Sequence, residues 1–312
     1  MAFRELRKLD KELYLTTKIN ELAKQYRKAQ KQLLAQLNKV DITEFQRYRT
    51  EAILKEVNEI VKTLNRDARK WVIKSTPYAY VRGIDVAAKR LKTLRVTPWV
   101  NYDAQIHTQA VNILADQITM DLLIANESIK KNMHRFIRLT QQRILEDKRI
   151  SEMIAEGIIR GEARRTVSDR LLNEFRRQLG NEQFITINGR NYKPDKYSEL
   201  VARTRTREAS TQGTINTCLQ YNNDLVQVSV HSNSCAYCMQ FQGRVYSISG
   251  SHPEFPRLTE EPPYHPNCKC NLLPITQESL EERGYYDEIV RLSNSPLTKV
   301  DSFSRFEELL NV

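Results

Sequence analysis

Val111, Leu114, Ile118, Leu122, Ala125, Ile129, Met133 and Phe136 follow one another at spacings of three and four. An α-helix puts such residues on one side, whereas a strand would send successive positions to opposite faces. A stripe of about seven turns has to find cover along its whole length. Two more stripes precede it. Leu15, Ile19, Leu22, Tyr26, Leu33 and Leu37 form the first. Ile53, Val57, Ile60, Leu64 and Trp71 form the second, after "DITEF", where Asp41 or Thr43 can act as a cap. Thr76 and Pro77 are expected to open a separate, shorter helix, "PYAYVRGIDVAAKRLKTL", because proline lacks a backbone donor and suits a first turn. "RVTPWVNYD" is an irregular link, and helical pattern resumes in "SEMIAEGIIRG" and "TVSDRLLNEFRRQLG". Helices this polar on their outer faces cover their stripes with one another, so residues 1–180 are expected to form a helical bundle or an extended helical array.

The pattern changes at Gly180. "QFITINGRNYKP" alternates around Asn188-Gly189, a strong short-range hairpin signal. "PDKYSELVARTRTREASTQGTINTCLQYN" is one helix with Pro194 near its first turn. "DLVQVSVHS" and "FQGRVYSISG" are short strands on either side of a C-x-x-C pair, and a proline-rich loop leads on to "HPNCKCNLLPI". Residues 181–275 are therefore expected to be a compact α+β module, and 276–312 a helical tail. The fold class is mostly α: long N-terminal helices followed by a small mixed domain that contains the cysteines and a histidine.

A formal charge of +11 and a pI near 9.4 favour an acidic partner, nucleic acid before others. The densest basic stretch is "RFIRLTQQRILEDKRI", with "RGEARR" and "EFRRQ" after it. No run of eighteen apolar residues exists, which excludes a transmembrane helix and a membrane partner of that kind. The N-terminal "MAFRELRKLDKELY" is charged from the start, so no secretory leader is expected and the chain is made in a reducing cytosol.

In that compartment clustered cysteines point to metal or catalysis before disulfides. Cys235 and Cys238 form a C-x-x-C; Cys268 and Cys270 form a C-x-C about thirty residues later; His265 stands three before Cys268. A C-x-x-C turn brings two sulfurs to one ion, and in an extended C-x-C the side chains at i and i+2 point the same way. Four sulfurs then suit a tetrahedral zinc ion, closed to water and hence structural. His265 is either an alternate ligand or a hydrogen-bond donor to a ligating thiolate. Reduced cysteines in a small core, or two local clips, are the other readings of the same residues. Cys218, in the helix before, is expected to be a buried thiol.

Catalytic patterns are weaker. A thioredoxin-like C-x-x-C opens a helix in a βαβ setting, and this one lies between strands. A zinc deaminase needs H-x-E before its cysteines, and none occurs upstream of Cys235. A zinc nuclease would have only His231 and His252 nearby as a base. No phosphate loop, nucleophile elbow or paired-carboxylate signature is present, so no catalytic residue and no enzymatic activity are expected.

The order of strand, C-x-x-C, short strand with G-R-V-Y, proline-rich loop and H-P-N-C-x-C resembles the C-terminal module of the minor capsid, or head morphogenesis, proteins of tailed bacteriophages, the Mu F-like group. The matching residues are Cys235, Cys238, Gly243, Val245, Pro262, Pro263, His265, Pro266, Cys268, Cys270 and Pro274. The preceding helix, with Arg203, Thr206 and Glu208, is similar to that family's Arg/Thr/Glu-bearing helix, and "IAEGIIRGEARRTVSDRL" to its upstream segment. The resemblance is specific from about 150 to 275; the N-terminal helices are compatible with it only in length and character. It implies a low-copy virion protein at the head interior or portal vertex, acting in head assembly and in some relatives in DNA packaging or ejection. Its implied partners are the portal protein, the major capsid or scaffolding protein, and packaged DNA bound without sequence preference. The enzymatic alternative is a zinc-containing nuclease or an ADP-ribosyltransferase-like enzyme using Arg203 with Glu208 or Glu254; the Ser-Thr-Ser strand and E-x-E turn of such transferases are missing. A host DNA-binding regulator is a third reading, without a recognisable helix-turn-helix.

Overall fold

The computed structural model describes residues 11–37, 47–96, 101–102, 104–146, 160, 166, 185–232 and 234–297, without the side chains of 37, 47–49 and 139–146. Asp41, Thr43, the junction at Gly180 and most of the three basic stretches lie outside these residues. Three long helices come first: α1 (Lys11–Leu37), α2 (Arg47–Thr93) and α3 (Gln105–Glu146). A hairpin of β1 (Ile185–Ile187) and β2 (Arg190–Tyr192) precedes α4 (Pro194–Gln220). Then come β3 (Leu225–Val228), the single turn α5 (Ala236–Met239), β4 (Val245–Ser247), β5 (Leu272–Pro274), α6 (Gln277–Glu282) and α7 (Tyr286–Asn294).

One expectation fails. Pro77 does not open a helix; it sits inside α2, which runs unbroken for 47 residues. The proline removes the donor for the Ile73 carbonyl, a loss of about 3 kcal/mol or more in a buried helix. Ile73 is 71% exposed, so water can take that bond. Immediately beyond the proline, Tyr78, Ala79, Tyr80, Val81 and Ile84 are all buried in one core cluster, and that burial holds the helical path.

The chain forms two compact units, Met1–Thr17, Ile73–Gln117 and Ala202–Val312 in one, and Lys18–Val72 and Ile118–Val201 in the other. The second unit buries the expected stripes: Leu22, Tyr26 and Leu33 of α1, Val57 and Leu64 of α2, and Ile118, Leu122, Ala125, Ile129 and Met133 of α3. Trp71 Nε1 donates to the Lys18 carbonyl at 2.7 Å, and Asn126 Nδ2 to Asn65 Oδ1 at 2.7 Å. The hairpin turns where the sequence places it, with Asn188 and Gly189 at φ of 49° and 73°, as a type I′ turn requires. It is held to α3 by Thr186, whose N–H reaches Ser128 Oγ at 2.9 Å while its hydroxyl accepts from Asn132 at 3.1 Å.

In the first unit, α2 and α4 cross so closely that Gly83 and Gly213 face each other's backbone. Beside the crossing runs a buried polar chain. Asn216 Nδ2 donates to the Tyr80 hydroxyl at 2.7 Å, and that hydroxyl lies 3.0 Å from His107 Nδ1. His107 Nε2 is 3.4 Å from Gln220 Oε1. The chain is satisfied when the hydroxyl donates to Nδ1 and the Nε2–H to Gln220. After α4 comes a three-stranded antiparallel sheet in the order β4-β3-β5, with Val226 opposite Tyr246 and Pro274. Alternation along β3 divides its residues between two clusters. Val226 and Val228 join the one containing Cys238, Cys268 and Cys270, while Leu225 joins Phe255, Leu280 and Ile289.

Candidate metal centre

Two loops, one between β3 and β4 and one between β4 and β5, supply the donors. The first leaves β3 and makes α5, with Cys235 as its N-cap, its sulfur accepting the Cys238 N–H at 3.5 Å. The second follows β4, passes the cis bond between Pro262 and Pro263, and turns at Asn267, whose φ is 65°. Within that turn the Cys268 N–H bonds the His265 carbonyl at 3.0 Å, so histidine and cysteine face inward together. Phe241 and Tyr264 stack at 4.1 Å beneath both loops and hold them in register.

All five expected donors converge, as two overlapping triads that share Cys238: Cys235, Cys238 and His265, and Cys238, Cys268 and Cys270. Cys238, Cys268 and Cys270 are buried, His265 is half-buried and Cys235 is exposed. His265 Nε2 is 3.0 Å from Cys238 Sγ and 3.2 Å from Cys235 Sγ, and Cys238 Sγ is 3.6 Å from Cys268 Sγ. A tetrahedral ion with metal–sulfur bonds of about 2.3 Å sets its sulfurs about 3.8 Å apart, so this spacing suits zinc. All five cysteines are free thiols.

The electrostatics divide the sulfurs. The neighbouring Cys270 thiol, acting against burial, holds Cys268 down to about 5, and the Cys270 N–H helps. Burial, reinforced by Cys268, pushes Cys238 up to about 12. Cys270 is driven above the thiol range by Cys268 and by burial. At Cys235 burial acts upward, but the Cys238 N–H and the neighbouring His265 outweigh it and the thiol is lowered. Cys218 is fully buried and pushed up to about 12 by burial, the inert thiol its helix position suggests.

Other residues singled out in the sequence lie elsewhere in the unit. His231 Nε2 is 2.8 Å from Ser229 Oγ, which in turn accepts the Asn271 N–H at 2.9 Å. His252 Nδ1 accepts the backbone N–H groups of Glu254 and Phe255 at 3.2 and 3.3 Å. The Glu254 carboxylate accepts from the Tyr286 hydroxyl. Thr206 bonds back to the Ala202 carbonyl at 2.8 Å, and Glu208 takes Arg205 at 2.6 Å. Glu208 also lines a cavity of about 460 Å³ with Gln212, Glu261, Pro262 and Pro263, which none of the cysteines enters.

Two arginines were not singled out and matter more. Arg207 donates to the Cys268 carbonyl and so ties α4 to the second loop; it lies four residues after Arg203, on the same helical face. Arg244, 5% exposed, donates to the carbonyls of Gln240, Ser293, Ser295 and Pro296 at 2.6–3.2 Å, closing the C-terminal end of α7. Its signal was an arginine immediately before the short strand β4, where a buried charge has to find partners.

No helix among the described residues is long and apolar enough to cross a membrane. The family model of phage minor capsid protein 2 matches residues 11–268. No curated protein and no solved structure matches the chain. The family match takes in the long helices and the module as far as Cys268, and so extends on the N-terminal side far beyond the segment whose motifs carried the resemblance. The chain belongs to the phage minor capsid protein 2 family and is a structural component of the phage head.

Proposed function

We propose that this protein is a low-copy component of the virion, seated at the portal vertex, that acts in head assembly and handles DNA there during packaging or ejection. The observation that carries this reading is the family match over residues 11–268, which joins helices and cysteine module in one minor capsid protein. α3 supports a protein partner. Ile106, Ile113, Met120 and Ile124 are 39–59% exposed and recur at seven, seven and four residues, an uncovered apolar line on one helical face. A portal ring offers equivalent positions to several copies without contact between them. The charge of +11 supports loose phosphate contact with packaged DNA.

Zinc is the metal this reading assigns to the cysteine cluster. With protein ligands alone it would be closed to substrate and would hold the two loops together. We assign no catalytic role: His231 and His252 are engaged by Ser229 and by backbone N–H groups, and the carboxylates of Glu208 and Glu254 by Arg205 and Tyr286. The test is co-expression with the cognate portal protein. Co-purification with the portal is expected, together with a monomeric or weakly associating isolated chain, and Ile113→Asp with Met120→Asp should abolish capture. A chain that ignores the portal and instead cleaves DNA or consumes a nucleotide overturns the structural reading.

A further inference from the structure

Five donors are one more than a tetrahedral ion takes. We propose that the ion is bound by Cys235, Cys238, Cys268 and His265, a three-sulfur, one-nitrogen site, with Cys270 outside the coordination shell and bonded to Gln242. This rests on the zinc reading above and names its ligands.

The histidine ring is the first argument. His265 Nδ1 is 2.8 Å from the Pro266 carbonyl oxygen, an acceptor only, so Nδ1 carries the proton that bonds it. In the neutral ring the other nitrogen, Nε2, then presents a lone pair. Two sulfurs crowd that lone pair, at 3.0 and 3.2 Å. One S–H could donate to it, which leaves the second sulfur facing electron density with nothing between. A cation among the three satisfies them together. A histidine that hands its far N–H to a carbonyl while its near nitrogen faces thiols is arranged as a ligand, its tautomer set by the outer bond.

The sulfurs supply the second. Cys238 is common to both triads, and its 3.6 Å separation from Cys268 is close to the edge of about 3.8 Å in a zinc–sulfur tetrahedron. Cys235 and Cys268, the first cysteine of each pair, each accept a backbone N–H, from Cys238 at 3.5 Å and from Cys270 at 3.4 Å.

Cys270 is held differently. Its sulfur accepts from Gln242 Nε2 at 3.6 Å. Gln242 is fully buried, takes the His231 N–H on Oε1 at 3.1 Å, and also donates to Ser234. An amide fixed on every side keeps the Cys270 sulfur where it is.

The experiment uses the full-length reduced chain loaded with Zn²⁺ alone. X-ray absorption at the zinc edge is expected to show three sulfurs and one imidazole nitrogen. A nitrogen-15 spectrum should place the His265 proton on Nδ1 with Nε2 on the metal. Cys270→Ser should keep one zinc per chain with affinity within about threefold, whereas Cys268→Ser should lose it. A four-sulfur shell, or loss of zinc from Cys270→Ser in a chain that still folds, overturns the ligand set and leaves the zinc reading intact. If the parent chain binds no zinc and His265 is instead a doubly protonated ring between two thiolates, the zinc reading fails and the ligand set with it.

Discussion

Gly83 on α2 and Gly213 on α4 meet with no side chain between them. A Cβ on Gly83 would overlap the Ser210 carbonyl and come within 2.9 Å of the Thr214 nitrogen. One on Gly213 would overlap the Tyr80 carbonyl and lie 3.2 Å from the Ile84 nitrogen. Thr214 Oγ1 seals the crossing by donating to the Gly83 carbonyl at 3.2 Å. Helix propensity alone would make either glycine-to-alanine change stabilising by about 1 kcal/mol. The crossing reverses that sign. Gly83→Ala and Gly213→Ala should each cost about 2 kcal/mol or more, because backbone has to separate to admit the methyl group. Urea unfolding decides it, and a higher midpoint for either variant would contradict the crossing.

His107 predicts a pH effect. Burial lowers its pKa below the usual histidine value of about 6.5, and the bond to Gln220 only partly opposes this. The native state holds the ring neutral between Tyr80 and Gln220, while the unfolded chain takes up a proton near 6.5. Stability tied to this residue is thus complete above that value and is lost as pH falls below it. His134 and His231 shift in the same direction, so the comparison has to be made against His107→Gln. The variant should be less stable at neutral pH and should lose less stability between pH 7 and 5. A parallel decline in both proteins would exclude His107 as a source.

The cysteine cluster should make folding metal-dependent. Elemental analysis should find about one zinc per chain, and a chelator should lower the melting temperature. Cys268→Ser should cost several kcal/mol, since the binding energy of a structural site is folding energy. A metal-free chain that melts unchanged in chelator would return these residues to ordinary buried thiols.

Arg244 should behave as a structural cation. Removing it strands the carbonyls of Ser293, Ser295 and Pro296, so Arg244→Ala should cost about 2–4 kcal/mol. Lysine keeps the charge but lacks the fork that reaches several acceptors, and should recover less than half of that loss. Full recovery by lysine would show that charge alone matters.

DNA contact should be electrostatic. Duplex retardation at low salt should fall steeply as salt approaches physiological levels, with no preference among sequences. A sharp sequence preference would point instead to base reading and a different function.

Much of this fold was legible because its signals are local. The stripe from Val111 to Phe136, the Asn188-Gly189 turn and the helix beginning at Pro194 each depend on spacing within a single element. The convergence of Cys235, Cys238, His265, Cys268 and Cys270 was legible too, since short pairs of ligands need only one loop closure to meet. Pro77 misled because its local cost is opposed by the burial of Tyr78 to Ile84 against residues distant in sequence. Gly83 and Gly213 carry no local signal of their role, which depends on a partner 130 residues away. Arg207 and Arg244 were lost among 49 basic residues, because only burial separates a structural arginine from a solvated one.

The first compact unit draws on the first 17 residues, on residues 73–117 and on everything from Ala202 onward. That division has a consequence for how the protein is made. When Tyr80 and Gly83 leave the ribosome, the helix that crosses them has not yet been translated, and at about 5–20 residues per second it follows roughly 6–26 s later. During that interval Leu15, Tyr102, Val111 and Leu114 can already pack against α2, but its face at Gly83, which α4 covers, stays open to chaperones and to other nascent chains. Fragments ending anywhere before α4 are left in that condition permanently, and their insolubility would report on an unfinished unit rather than on the stability of the helices they contain.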